Sequence, residues 1–577
     1  MYLYKQQLLK ASLVLCTLFV SCREPYRYSY ETQFENVETD KPSQMSANQF
    51  DSDSNRSPSA WKEPQTRMIR LTQAQFVSKV VSLFGEEARP TSRIPSDLIV
   101  EGSKALGTGK SIMIERDAEL FAKVAEEVAG SIVENDSLVS SFSSCFDDIK
   151  NSFNNAITHA YERDQHLACL AKMAEGASNH IWGRSLTTVE WSHAFTILAK
   201  GLDLLKIPSD SFSFYLSWLL QSPHFLYRIE ELIESSDGFN LWTQVSLAER
   251  LSYFLTNSPP ESSLLDTEDL HSREGWEKAV DRLLESEHLE QGIRAIANDL
   301  WSLWRLDQLH LNKDPESFEH LSTQLAASAK EETLMTFWEA SQSDLEIPKL
   351  FTQSRSYLDS NLAALYQVPA PSREGFGWSE YASDSDRVGL LGQVSFLALN
   401  AHPTSTSSTL RGFFILDKLL CSAPPPPPAG VDTSIPEPTP ERPTLRDRLE
   451  SHLSEPSCAG CHRSMDMIGL TFEGFDALGG KRRYERGVEI DVKGEFLGTG
   501  VSGPKELAEA LAQHPKLSIC LTKRLYRYAR ASYEIDTEEE LIKDLAQEVE
   551  SNHFTFKTLL KAIALSEGFH GPYLEQE

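Results

Sequence analysis

Beyond its first twenty residues the chain has no apolar run of the roughly 18 to 20 residues that a bilayer-spanning helix needs, so the body of the protein does not read as membrane-embedded. Basic residues are also short: 55 Lys and Arg stand against 84 Asp and Glu, for a formal net charge of −29. No Lys/Arg block interrupts that negative field, which excludes nucleic acid as a surface-wide partner. The chain has no Gly-x-Ser-x-Gly, His-Glu-x-x-His or phosphate loop, so no nucleophile or metalloprotease centre can be named and enzymatic activity stays open. Clustered carboxylates at Asp466, Glu473 and Asp476 have the residue types a glycosidase uses. Acidic residues are abundant here, however, and Glu473 and Asp476 read as caps or as ion-pair partners of Lys481, Arg482 or Arg483.

Convincing series of alternating strands are lacking too, and what replaces them is helical periodicity. Apolar residues fall near a 3.6 period over 69–85, 117–134, 144–177, 188–205, 211–233, 275–309 and 321–343. Ser246-Leu247-Ala248-Glu249 reads as a capping box opening a helix toward Leu255. After a loop or short hairpin at 494–504, helices are expected over 505–513, 517–530 and 538–549. The fold class is therefore mainly α, and 577 residues exceed what one core holds, so several domains are expected.

Two stretches punctuate this helical chain. Ala11 to Ser21 is a short apolar run behind Lys5 and Lys10, with the length of a signal h-region. It ends in Phe19-Val20-Ser21-Cys22, which resembles a bacterial lipobox with Phe19 where Leu is usual, so Cys22 is the expected lipidation site. The following residues are rich in Ser, Asp, Asn, Glu and Gln and read as a disordered tether. At the other stretch, Pro424 to Pro428 lock φ and remove donors, predicting a polyproline strut that separates two bodies.

The expected order is a signal peptide with lipobox cysteine (1–22), a tether (23–65), an N-terminal helical domain (66–205) and a central helical domain (206–420). A proline-rich linker (421–448), a cytochrome c-like segment (449–500) and a C-terminal helical domain (501–577) complete it.

Cysteine is scarce, at eight residues. Without Cys16 and Cys22, six remain, an even number that suits an oxidising compartment. Two of these form Cys458-Ala459-Gly460-Cys461-His462, the pattern in which both thiols add to haem vinyl groups and the imidazole takes the iron. Four then remain and allow three pairings. Cys145 with Cys169 and Cys421 with Cys520 is favoured, and four buried thiols are the alternative. A zinc site lacks a second Cys pair, and a redox dithiol lacks a βαβ context. A Cys458–Cys461 disulfide is the serious rival.

One covalent haem c is thus expected, with Cys458, Cys461 and His462 as its attachment and proximal ligand. Methionine is missing after Met467, so no downstream Met supplies the opposite ligand. Met465 and Met467 lie too close to His462 on the same helix. That leaves a remote histidine, His514 or His402, or an open position. The expected function is electron transfer or another haem-based redox step, with a redox partner protein or small redox substrate that the sequence does not name. The alternative is a haem-free envelope scaffold or glycan-binding protein carrying a Cys458–Cys461 disulfide.

The motif stands in a longer block, with Met465-Asp466, Gly469, Phe472-Glu473-Gly474-Phe475-Asp476-Ala477 and Gly479 following. Leu71-Thr72, Gly183-Arg184-Ser185-Leu186-Thr187, Ser222-Pro223-His224-Phe225-Leu226-Tyr227-Arg228, Leu247-Ala248-Glu249-Arg250-Leu251 and Leu410-Arg411-Gly412 precede it in order. Together they resemble large exported bacterial proteins, abundant in planctomycetes and myxobacteria, that carry adjoining domains of unknown function 1587, 1595, 1592, 1588 and 1585. The resemblance implies a cytochrome c-like segment and no settled activity. Met467 stands where that group usually has proline, and the surroundings of His402 vary within it, which argues against His402 as a shared ligand.

Overall fold

Arg67–Arg70 forms a strand, β1, because Thr72 begins a helix two residues later: its hydroxyl accepts from the Gln75 amide and the Gln75 side chain returns the bond to the Thr72 N–H. Helix α1, Gln73–Phe84, then runs until Gly85 takes φ +85°. Ile69 and Leu71 are therefore not helical, as their periodicity suggests, and β1 pairs antiparallel with β2, Tyr227–Glu230. The computed structural model describes residues 66–234, 240–372, 375–426, 435–454 and 456–571, excepting the side chains of 266, 267, 451–454, 456–458 and 461. The signal, Cys22, the tether and Pro427 and Pro428 of the strut lie outside the described residues.

The remaining helices used below follow in order: α2 (Lys104–Thr108), α3 (Glu115–Glu134), α4 (Ala160–Trp182), α5 (Thr188–Leu205), α6 (Pro208–Leu220), α7 (Gln244–Leu255), α8 (Arg273–Leu284), α9 (Leu289–Leu300), α10 (Thr323–Gln342), α11 (Ser408–Phe414), α12 (Leu445–Ser454), α13 (Pro456–Gly469), α14 (Gly503–Ala512), α15 (Lys516–Arg530), α16 (Glu538–Ser551) and α17 (Phe556–Leu565). Between them, strands pair only as two-stranded antiparallel ladders among the described residues: β1 with β2, β3 (Leu232–Glu234) with β4 (Asn240–Trp242), β5 (Arg355–Leu358) with β6 (Gly377–Glu380), β7 (Tyr484–Glu485) with β8 (Val488–Glu489), and β9 (Lys493–Phe496) with β10 (Thr499–Ser502). The fold is mainly α. No described helix is long and apolar enough to cross a membrane.

The expected helix ends shift where side chains compete for the backbone. Thr243, not Ser246, caps α7: its hydroxyl accepts from the Ser246 amide, and Ser246 Oγ accepts from the Glu231 amide at 2.9 Å. The long pattern over 144–177 divides into a short turn at Phe146–Ile149 and the helix α4. The pattern over 211–233 ends early, because Ser222-Pro223 restarts the chain and Tyr227 enters β2.

Two cores organise these elements. Phe76, Val124, Leu170, Leu198 and Phe212 of α1 and α3 to α6 form the first. The second joins Trp276, Ile296, Phe337, Phe472 and Leu525, so helices before and after the proline strut share one apolar interior. Disulfides Cys145–Cys169 and Cys421–Cys520 add covalent ties. The second closes 99 residues around the strut and the CxxCH helix, a loop for which chain entropy predicts a stabilisation of about 4 to 5 kcal/mol.

Candidate functional site

Pro456 opens α13 at its first position, where a missing N–H costs nothing. With about 100° and 1.5 Å per residue, positions 458, 461 and 462 fall at i, i+3 and i+4 and share one side of the helix. The side chains of Cys458 and Cys461 lie outside the described residues, and only their backbone positions are placed.

His462 continues that side into a hydrogen-bonded chain. Its Nδ1 is 3.0 Å from Oδ2 of Asp466, one turn on, and Asp466 is fully buried. An ionised carboxylate accepts only, so Nδ1–H is the donor, and in the neutral ring the lone pair is on Nε2. The other carboxylate oxygen accepts from Thr409 Oγ1 of α11 at 2.6 Å. This bond to Asp466 raises the His462 imidazole above its ordinary pKa, with partial burial opposing.

Helix α11 lies antiparallel against α13 at backbone distance. A Cβ on Gly412 would stand 1.9 Å from the Met465 carbonyl oxygen, and one on Gly469 would stand 1.8 Å from that of Ser408. Register 408 to 469 and 412 to 465 carries the end of α11, with Phe413 and the π-helical turn Ile415–Leu419, to the level of the CxxCH end of α13. Phe413, one turn beyond Thr409, is 38% exposed, and Leu410 is 39% exposed. Such π-turns recur at functional sites. This one leads straight into Cys421, and Arg524 of α15 donates to the Asp417 carboxylate at 3.0 Å inside it.

The methionines beside the motif are packing residues. Met465 joins the large core, and Met467 packs with Leu445, Leu449 and Leu470. The other two clustered carboxylates are structural. Glu473, buried, pairs with Arg482 at 2.5 Å and accepts from Thr406 Oγ1. Asp476 Oδ1 accepts from the amides of Leu478, Gly479 and Gly480. Buried Arg411 donates to the carbonyls of Phe472, Phe475, Leu397 and Asp476, which holds the loop after α13 on the body.

The distal candidates have different neighbours. His514 accepts the Lys516 amide on Nδ1 and stands edge-on to Phe496 of β9, a strand that packs against α13. His402 gives its carbonyl to Lys313 Nζ at 2.7 Å, beside an ammonium that burial pushes down to about 7. Among the described residues, no group of three or more His, Cys, Asp or Glu could hold a metal ion. In the sequence Thr409 carries no signal, and Asp466 reads as one of three clustered carboxylates rather than as the partner of His462. The His-x-x-x-Asp spacing was the available signal for Asp466, whereas nothing local marks Thr409.

No curated protein and no solved structure matches the chain. Three family models do, in consecutive stretches, and leave residues 66–241 uncovered. The chain is thus similar to three adjoining proteins of unknown function, DUF1592 over 242–368, DUF1588 over 387–485 and DUF1585 over 497–569, with the CxxCH helix inside the middle one.

Proposed function

We propose that the protein is an exported, lipid-anchored c-type haem protein acting in electron transfer or another haem-based redox step. The observation that carries this reading is His462 on the Cys458–Cys461 side of α13, held by the buried Asp466 carboxylate. A carboxylate or carbonyl on the far nitrogen is the usual outer partner of a metal-bound histidine, fixing the ring and raising its basicity. The donor set therefore fits a haem, which Cys458, Cys461 and Nε2 of His462 would hold, and the exposed Phe413 supplies apolar surface toward that end. When bound, the group supplies one-electron chemistry at iron. Asp466 keeps the proton on Nδ1, Thr409 orients Asp466, and the Gly412 contact holds the two helices at the distance this chain of bonds requires. Disulfides Cys145–Cys169 and Cys421–Cys520 support an oxidising compartment, in which such attachment takes place.

Expression with a cytochrome c maturation system is expected to give a pyridine haemochrome spectrum of the c type, and a 458–461 peptide heavier by one haem. A peptide lighter by two hydrogens, with no haemochrome, would replace the haem by a Cys458–Cys461 bridge. For the anchor, Cys22→Ser is expected to move the protein from the membrane to the soluble fraction with an unchanged thermal melt. Membrane fractionation indifferent to this change would remove the lipid anchor.

A further inference from the structure

At the seam between the two cores lies a cavity of about 80 Å³, walled by β1, α1, α2, β2, α7, α9 and α15. Tyr253 packs with the N-terminal core and Phe254, the next residue, with the large one, so the two cores meet at this point of α7. A volume of this size holds several waters or a molecule on the order of five heavy atoms.

Its lining is unusual for a structural void, because empty cavities in proteins are apolar. Three buried polar atoms of lining residues have no hydrogen-bond partner among the described residues: Tyr253 Oη, Arg228 Nε and Asn298 Oδ1. Tyr253 is 1% exposed and Arg228 5%. Leaving a buried polar group unpaired is destabilising, so three around one cavity ask for a common partner.

The charges around the cavity define that partner. On the β2 side the Glu230 carboxylate serves three guanidinium groups, Arg228 at 3.0 Å, Arg250 at 2.5 Å and Arg67 at 3.7 Å, and the buried Glu249 carboxylate also acts on Arg228 and Tyr253, so this wall is charge-balanced and offers two unused donors, Arg228 Nε and Tyr253 Oη. On the α9 side stand the Asn298 acceptor and the Asp299 carboxylate, which is occupied by Ser103 Oγ and the Lys104 and Ala105 amides. Asp97 and Lys104, also in the lining, neutralise each other at 3.0 Å. One wall thus calls for an acceptor that can take two hydrogen bonds, as a carboxylate does, and the opposite wall for a donor.

We propose that this cavity binds a small carboxylate with a hydrogen-bond donor on its second carbon, a 2-amino or 2-hydroxy acid of the size of glycine or glycolate. The carboxylate accepts from Arg228 Nε and Tyr253 Oη, and the ammonium or hydroxyl donates to Asn298 Oδ1. The site is independent of α13 and of any haem.

Isothermal titration of the purified protein with glycine and with glycolate tests this. Saturable binding of at least one is expected, weakened at least tenfold by Tyr253→Phe and by Asn298→Ala, with acetamide not competing. Tyr253 Oη makes no described hydrogen bond, so Tyr253→Phe retains the fold, which its melt verifies. Absence of saturable binding to the wild-type protein, or binding that both variants keep, overturns the assignment in favour of ordered water.

Discussion

Replacing Gly412 by alanine is expected to lower stability by about 3 kcal/mol or more, read as a lower thermal melting temperature of the purified protein. Overpacking a core typically costs about 1 to 3 kcal/mol because side chains give way. At Gly412 the obstacle is the Met465 carbonyl oxygen, 1.9 Å from the new methyl, and backbone gives way only if α11 and α13 part. Parting them also stretches the Thr409 to Asp466 bond and detaches the support of His462. Gly130, within α3, has nothing within 4 Å of a Cβ and serves as the control. There the same substitution is expected to stabilise by about 0.5 to 1 kcal/mol through helix propensity alone. Equal melts for the two variants would refute the close helix contact.

Stability is expected to fall as pH rises from about 4.5 to about 7, and Glu332→Gln is expected to flatten that slope. Glu332, on α10, is fully buried and accepts from Ser356 Oγ at 2.6 Å and from Tyr366 Oη at 2.8 Å. Burial, the largest influence, raises its carboxyl to about 7, against the two hydroxyl donors and Arg387, and with Asp359 adding to the rise. Tyr381, also buried, completes the titratable groups around it and feels the same carboxyl. Between the unfolded and folded pKa values the native state binds the extra proton, so raising the pH favours unfolding. At about 1.4 kcal/mol per pH unit, the loss approaches 3 kcal/mol by neutral pH. The amide of Gln imitates the protonated acid, so the variant is expected to be the more stable protein at pH 8 and nearly equal at pH 4.5, by urea unfolding. A wild-type slope that survives in Glu332→Gln would assign the titration elsewhere.

Much of the helical framework is local and was therefore legible. The expected helices over 188–205, 505–513, 517–530 and 538–549 correspond within a few residues to α5, α14, α15 and α16, because caps and 3.6 periodicity act within one or two turns. Misjudged ends have a shared cause. Ile69 and Leu71 keep the helical period, yet Ile69 belongs to a strand whose partner is more than 150 residues away. The pairing of Cys421 with Cys520, favoured from the sequence, is the one drawn in the structure, and so is Cys145 with Cys169.

By itself the sequence determined the α class, the excess of negative charge, and the presence of two thiols and an imidazole at i, i+3 and i+4 on one helix. Each depends on neighbours a few residues apart. The tertiary structure alone decided what stands behind that helix: Thr409 reaching Asp466 from 57 positions away, Gly412 admitting a carbonyl where any side chain would block it, and Arg411 gathering the carbonyls of the following loop. It also decided that buried Glu332 takes its hydrogen bonds from two hydroxyls, and that Tyr253, Arg228 and Asn298 line one cavity. Burial and cross-chain hydrogen bonds depend on which distant segments meet, and no periodicity within a segment encodes that meeting.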